Sequence, residues 1–114
     1  MLTLTAQQLI DLASPNLPIK VFPGREVLPA LRQQYPKMEI SLLTEFEIHS
    51  MVNSGETGGI LCEVVAPDLN KKKAETVVLC SLTHLRIKKG EPHYAEIIRY
   101  QVKRVKKLKR QNRF

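Results

Sequence analysis

The chain has no tryptophan, and its 114 residues include only three Phe, three Tyr and two Cys. So few aromatics leave the core to Leu, Ile and Val. Two cysteines, Cys62 and Cys80, are too few for a disulfide framework. Both sit in apolar runs, where a free thiol behaves as a small hydrophobe. No run approaches the ~18 consecutive apolar residues of a membrane span. The opening, "MLTLTAQQLIDLASPNLPIK", lacks the basic start and long apolar stretch of a secretory leader. A cytoplasmic protein with free thiols is the expectation.

Motifs for chemistry are equally sparse. His49, His84, His93, Cys62 and Cys80 contain no C-x₂-C or H-x₃₋₅-H pair, so the sequence expects no zinc and no other metal. Residues 53–59, "NSGETGG", are Gly-rich but carry no P-loop Lys. They read as a turn between strands. Cys80 and His84 are four apart on an expected strand, ~13 Å along it and too far for a nucleophile and its base. Neither an enzyme nor a cofactor is expected.

The body also lacks net charge. Residues 1–88 hold nine basic and nine acidic side chains; residues 89–114 hold nine basic ones against Glu91 and Glu96. The whole net charge of +7 therefore belongs to the C-terminal end. A basic end of this kind favours an anionic partner.

The length and the 43% apolar share fit a single domain over residues 1–114, with 103–114 as a basic terminal extension. Thr5 reads as the N-cap of a helix over "AQQLIDLA", which "SPNLP" stops. "IKVFPG" reads as a short extended piece, and "REVLPALRQQYP" as a second short helix with Pro29 in its first turn. "MEISLLTEFEIHSMV", "ILCEVVA" and "TVVLCSLTHLRI" read as strands. The last two pair antiparallel across a polar loop. In a symmetric register Cys62 faces Cys80; one slipped residue would put them on opposite faces. The expected class is α+β: three or four antiparallel strands, two N-terminal helices and a basic amphipathic C-terminal helix.

The final segment, "HYAEIIRYQVKRVKKLKRQ", admits two readings. Ile98, Tyr100 and Val102 alternate as in a strand. A helix accounts for more residues: Pro92 and Glu96 suit its start, and Lys and Arg gather where they oppose its dipole. At ~100° per residue, Tyr94, Ile97, Ile98, Val102, Val105 and Leu108 share an apolar face. Arg99, Lys103, Lys106, Lys107 and Arg110 form the opposite stripe, with Arg104 beside it and Tyr100 within it.

Cations along a helix with an aromatic among them suit a phosphate backbone and a stacked base. Arg99, Tyr100, Lys103, Arg104, Lys106, Lys107, Arg110 and Arg113 are thus the candidate nucleic-acid-binding residues, and RNA is favoured over DNA. Lys71, Lys72 and Lys73 form a secondary basic loop. The plainer alternative is a helix packed on the sheet with its charges in water. A further alternative is an assembly protein that forms a homodimer through its sheet, near Phe46 and Ile48, and docks an acidic protein surface. Attachment to a membrane surface is the weakest reading, since the apolar face has no Trp or Phe anchor.

Overall fold

The computed structural model of the chain describes residues 4–66 and 77–110. Helix α1 spans Ala6–Ala13 and opens on a capping box. The Gln8 N–H donates to Thr5 Oγ1 at 3.1 Å, and the Thr5 N–H donates to Gln8 Oε1 at 2.9 Å. These bonds satisfy N–H groups that the first turn leaves without partners. Strand β1 (Ile19–Pro23) and helix α2 (Leu28–Gln34) follow, with Pro29 in the first turn of α2.

Strand β2 (Phe46–Asn53), the single turn α3 (Gly55–Gly58) and strand β3 (Ile60–Val65) make a hairpin. The Ser54 N–H closes it on the Gly59 carbonyl at 2.7 Å. Strand β4 (Val78–Ser81) turns through a 3₁₀ segment (Leu82–His84) into β5 (Leu85–Ile87). Helix α4 runs over Tyr94–Arg110. The helical reading of this segment holds, and the strand alternative does not.

Five strands form one antiparallel sheet in the order β4-β3-β2-β1-β5. That is one or two more than expected, for two reasons. "IKVFPG" is a ladder strand between β2 and β5, and "TVVLCSLTHLRI" is two strands on opposite edges of the sheet. The break comes at Ser81, whose hydroxyl accepts the Thr83 N–H at 3.4 Å and so starts the 3₁₀ turn. The start of "MEISLLTEF" also leaves the expected strand. Ser41 and Thr44 side chains accept backbone N–H groups of Leu43 and Ser41 there, which diverts the chain into a turn. Phe46 and Ile48 are buried on β2, a strand flanked on both sides, so they do not mark an edge.

The edge positions of β4 and β5 force the sheet to curl. Flat, its outer strands would lie ~19 Å apart. The chain from Ser81 to Leu85 reaches at most ~14 Å. Curling encloses a core of Leu9, Ile19, Val21, Leu31, Phe46, Ile48, Ile60, Cys62, Val64 and Leu82, among others. The link sits close against the β1 end: the Gly24 N–H donates to the His84 carbonyl at 2.9 Å. A Cβ at Gly24 would stand 2.5 Å from that oxygen, so only glycine fits.

Cys62 does face Cys80 across β3 and β4. Both thiols are free and buried. Burial pushes the Cys80 thiol up to about 11 and the Cys62 thiol higher still. No described helix is long and apolar enough to cross a membrane.

Candidate nucleic-acid interface

Helix α4 is positioned by three attachments: one at Ile97, which its spacing places on the apolar face, and two that the sequence pattern does not disclose. Ile97 is fully buried and anchors it to the core. The Gln101 side chain donates to the carbonyls of Leu82 and Leu85, both at 2.7 Å, which fixes the helix to the 3₁₀ corner. The third attachment is to the α3 turn. Arg104 Nη1 donates to the Glu56 carbonyl at 2.6 Å, and Nη2 donates to the Thr57 carbonyl at 2.9 Å. Beside it the Ile60 N–H donates to Tyr100 Oη at 3.1 Å.

These bonds rotate the helix relative to the expected wheel. The inward face centres on Ile97, with Tyr100, Gln101, Arg104 and Leu108 around it. Val102, placed on the apolar face by its spacing, is 50% exposed. Tyr94, Ile98 and Val105 lie at the margin. Polar side chains have displaced an aliphatic one, because backbone carbonyls stood within reach of the Gln101 and Arg104 donors and the Ile60 N–H within reach of the Tyr100 oxygen.

The rotation leaves an outward arc of Arg99, Lys103, Lys106, Lys109 and Arg110, all exposed. Arg99, Lys103, Lys106 and Arg110 follow i, i+4, i+7, i+11 spacing and so share one face over ~16 Å of helix. No described carboxylate pairs with any of these four. Two cations of the body behave differently, although Arg25 and Lys37 likewise form no described ion pair. Lys88 pairs with Glu45 at 2.7 Å, and Arg86 donates to the Pro23 and Leu42 carbonyls while lying over the Phe22 ring.

The eight candidate residues therefore separate into groups. Arg99, Lys103, Lys106 and Arg110 form the outward arc. Lys107 lies at its edge and pairs with Glu56 at 2.7 Å. Tyr100 and Arg104 turn inward to the α3 turn. Arg113 lies outside the described residues, as do Lys71, Lys72 and Lys73. Lys109 is exposed at the other edge of the arc, on the Val102 side about 60° beyond Lys106 on the same wheel, and was not among the candidates.

A cleft of about 410 Å³ adjoins the arc. Its walls are Leu4, Thr5 and Ala6 from the start of α1, and Tyr100, Lys103, Arg104 and Lys107 from α4. Its floor is Asn53, Gly55, Glu56 and Gly59. Gly59, at φ +66°, lets the floor approach α4: a Cβ there would stand 2.9 Å from Tyr100 Oη and 3.0 Å from Arg104 Nε. Burial raises the Tyr100 hydroxyl above its ordinary value; the Ile60 N–H and the Arg104 charge oppose that rise. Among the described residues, no three His, Cys, Asp or Glu side chains come together to hold a metal ion.

No protein-family model matches the chain, and neither the curated proteins nor the solved structures give a match.

Proposed function

We propose that this protein is a cytoplasmic, non-enzymatic nucleic-acid-binding protein that favours single-stranded RNA. The outward arc of α4 holds the phosphate backbone. The observation that carries this reading is the set of four same-face cations, Arg99, Lys103, Lys106 and Arg110, with no described carboxylate against them. Like charges three and four apart each cost a helix a few tenths of a kcal/mol, ~0.2–0.5 per pair. A polyanion relieves that repulsion and releases its counterions, which makes binding steeply salt-dependent.

The test is binding of random single-stranded RNA by the wild type and by Lys103→Glu/Lys106→Glu at matched salt. Loss of binding with an unchanged fold is expected. Equal affinity for the two proteins would overturn the reading.

A second reading makes the protein an assembly factor. Leu79 and Val52 are 64% and 54% exposed on the outer side of β4 and β2, an apolar surface that a second copy would cover in a homodimer. The arc would then dock an acidic protein surface. A monomer at high concentration that binds RNA excludes this reading; a stable dimer indifferent to RNA favours it.

A further inference from the structure

The cleft beside the arc has features that a phosphate-holding surface does not need. Its walls are partly flat and apolar, through the Tyr100 ring, Leu4 and Ala6. Asn53 lies at its floor, with its amide bonded to Gln7 and to the Gly55 N–H, and Lys103 and Lys107 stand at its α4 side. At about 410 Å³ it lies at the small end of the ~300–1,000 Å³ range of ligand clefts, with room for one nucleotide unit.

Lys103 belongs to both the arc and the cleft. A strand whose phosphates follow the arc therefore presents its next unit at the cleft mouth. We infer that the cleft between α1, the α3 turn and α4 receives one unstacked nucleotide of a bound single strand. Its base lies against Tyr100, and its phosphate lies between Lys103 and Lys107. This inference rests on the proposed nucleic-acid reading and extends it.

The cleft is held ready for such a ligand. Arg104 ties the floor to α4 through the carbonyls of Glu56 and Thr57, and the Ile60 N–H fixes the tyrosine hydroxyl. The Tyr100 ring therefore needs little ordering on binding, which favours affinity. Among the described residues, Glu56 is the one carboxylate lining the cleft. It is already engaged by Lys107, and its side chain is 79% exposed, so water screens its charge from a phosphate. A duplex keeps its bases stacked and cannot supply the ligand. The cleft thus selects single strands, whereas the arc alone holds either form.

The experiment is an NMR titration of the full chain with adenosine 5′-monophosphate and, separately, with inorganic phosphate. Salt-matched RNA and duplex DNA titrations of the wild type and Tyr100→Leu accompany it. The expected result is saturable shifts of the Gly55, Gly59 and Lys103 amides with the nucleotide, which phosphate alone does not reproduce. Tyr100→Leu should lower single-stranded RNA affinity roughly 5- to 100-fold, the worth of one stacked base, with a smaller loss for duplex DNA.

If the RNA binds but the nucleotide shifts none of these amides, the cleft inference is overturned and the arc reading survives. If phosphate alone gives the same shifts, the base contact is overturned. If the nucleotide binds and RNA does not, the arc reading fails and the strand-borne nucleotide fails with it, leaving a mononucleotide cleft. The nucleotide titration needs no variant, so an unfolded Tyr100→Leu protein leaves the decision intact.

Discussion

Arg104 lies against Thr57, its Nη2 donating to the Thr57 carbonyl at 2.9 Å across 47 residues of chain. With the neighbouring bond to Glu56, one guanidinium caps the α3 turn and fastens α4 to the β2–β3 hairpin. An arginine that the sequence places beside the basic stripe is thus a structural clamp. Its inward commitment is what turns Arg99, Lys103, Lys106 and Arg110 to the outside.

Arg104→Ala should loosen this joint at modest cost. The freed carbonyls lie near solvent and can bond to water, so the loss is ~1 kcal/mol, the net worth of an ordinary hydrogen bond. Urea unfolding reads this as a lower midpoint at an unchanged slope. The Gly59 amide resonance should shift, since Arg104 Nε lies close to Gly59. An unchanged midpoint would show that the clamp adds nothing to stability.

Ile97 is the one fully buried side chain of α4. Ile97→Ala should cost ~2–5 kcal/mol, the transfer loss plus the cavity left behind. Val102→Ala, on the same helix but half exposed, should cost far less. Near-equal losses at the two positions would contradict the rotation of α4 described above.

The two cysteines should resist alkylation in the native state, because the thiolate is the nucleophile and burial disfavours it. The same shifts give the stability a pH dependence. A thiol whose folded value lies above its ordinary 9.0 binds more protons when folded than when unfolded at alkaline pH. The stabilisation is therefore complete below about pH 9 and is lost as pH rises through the folded value of Cys80, about 11. Burial of Tyr35 and Tyr100 adds in the same direction. Above about pH 9 each thiol costs about 1.4 kcal/mol per pH unit, so stability from urea unfolding should fall by on the order of 4 kcal/mol between about pH 8 and pH 10.5. A Cys80→Ala variant should show a shallower fall; a wild-type profile flat over that window would refute the assignment.

Reversing charge on the arc should act on binding and spare the fold. Lys106→Glu and Arg110→Glu lie outward and form no described ion pair, so thermal midpoints should move little. The salt slope for single-stranded RNA should become shallower by ~0.7 for each phosphate that is no longer neutralised. Fluorescence anisotropy across a salt series reads both the affinity and the slope.

The legible parts of this fold were those set by local chemistry. Thr5 and Gln8 sit three residues apart and announce the start of α1. Glu96 and the terminal cations announce α4; Pro92, which suited its first position, lies instead in the turn before Tyr94, with His93 at φ +63° between them. The β3–β4 register, with Cys62 opposite Cys80, followed from symmetry about the intervening loop.

The illegible parts depended on distant partners. Nothing near Tyr100 or Arg104 in sequence reveals the Ile60 N–H or the carbonyls of Glu56 and Thr57. The apolar spacing of α4 therefore misplaced its inward face, sending Val102 outward. The split of "TVVLCSLTHLRI" was largely hidden for a similar reason. The alternation of Val78, Cys80 and Leu82 changes phase before Leu85 and Ile87, and that slip is the one local trace of the corner that Ser81 starts; that the two strands lie on opposite edges depends on closure of the curled sheet.

A polyanion held on the outward face of α4 makes the affinity depend on salt, which the log–log salt dependence of single-stranded RNA binding to the purified, nuclease-treated full chain measures. Neutralising four or five phosphates predicts a linear fall with a slope of about −3 to −3.5, at ~0.7 per phosphate. Removing residues 103–114 should abolish the binding. No binding at moderate salt, or binding indifferent to salt, would contradict polyanion binding and leave the arc as a solvated helix face.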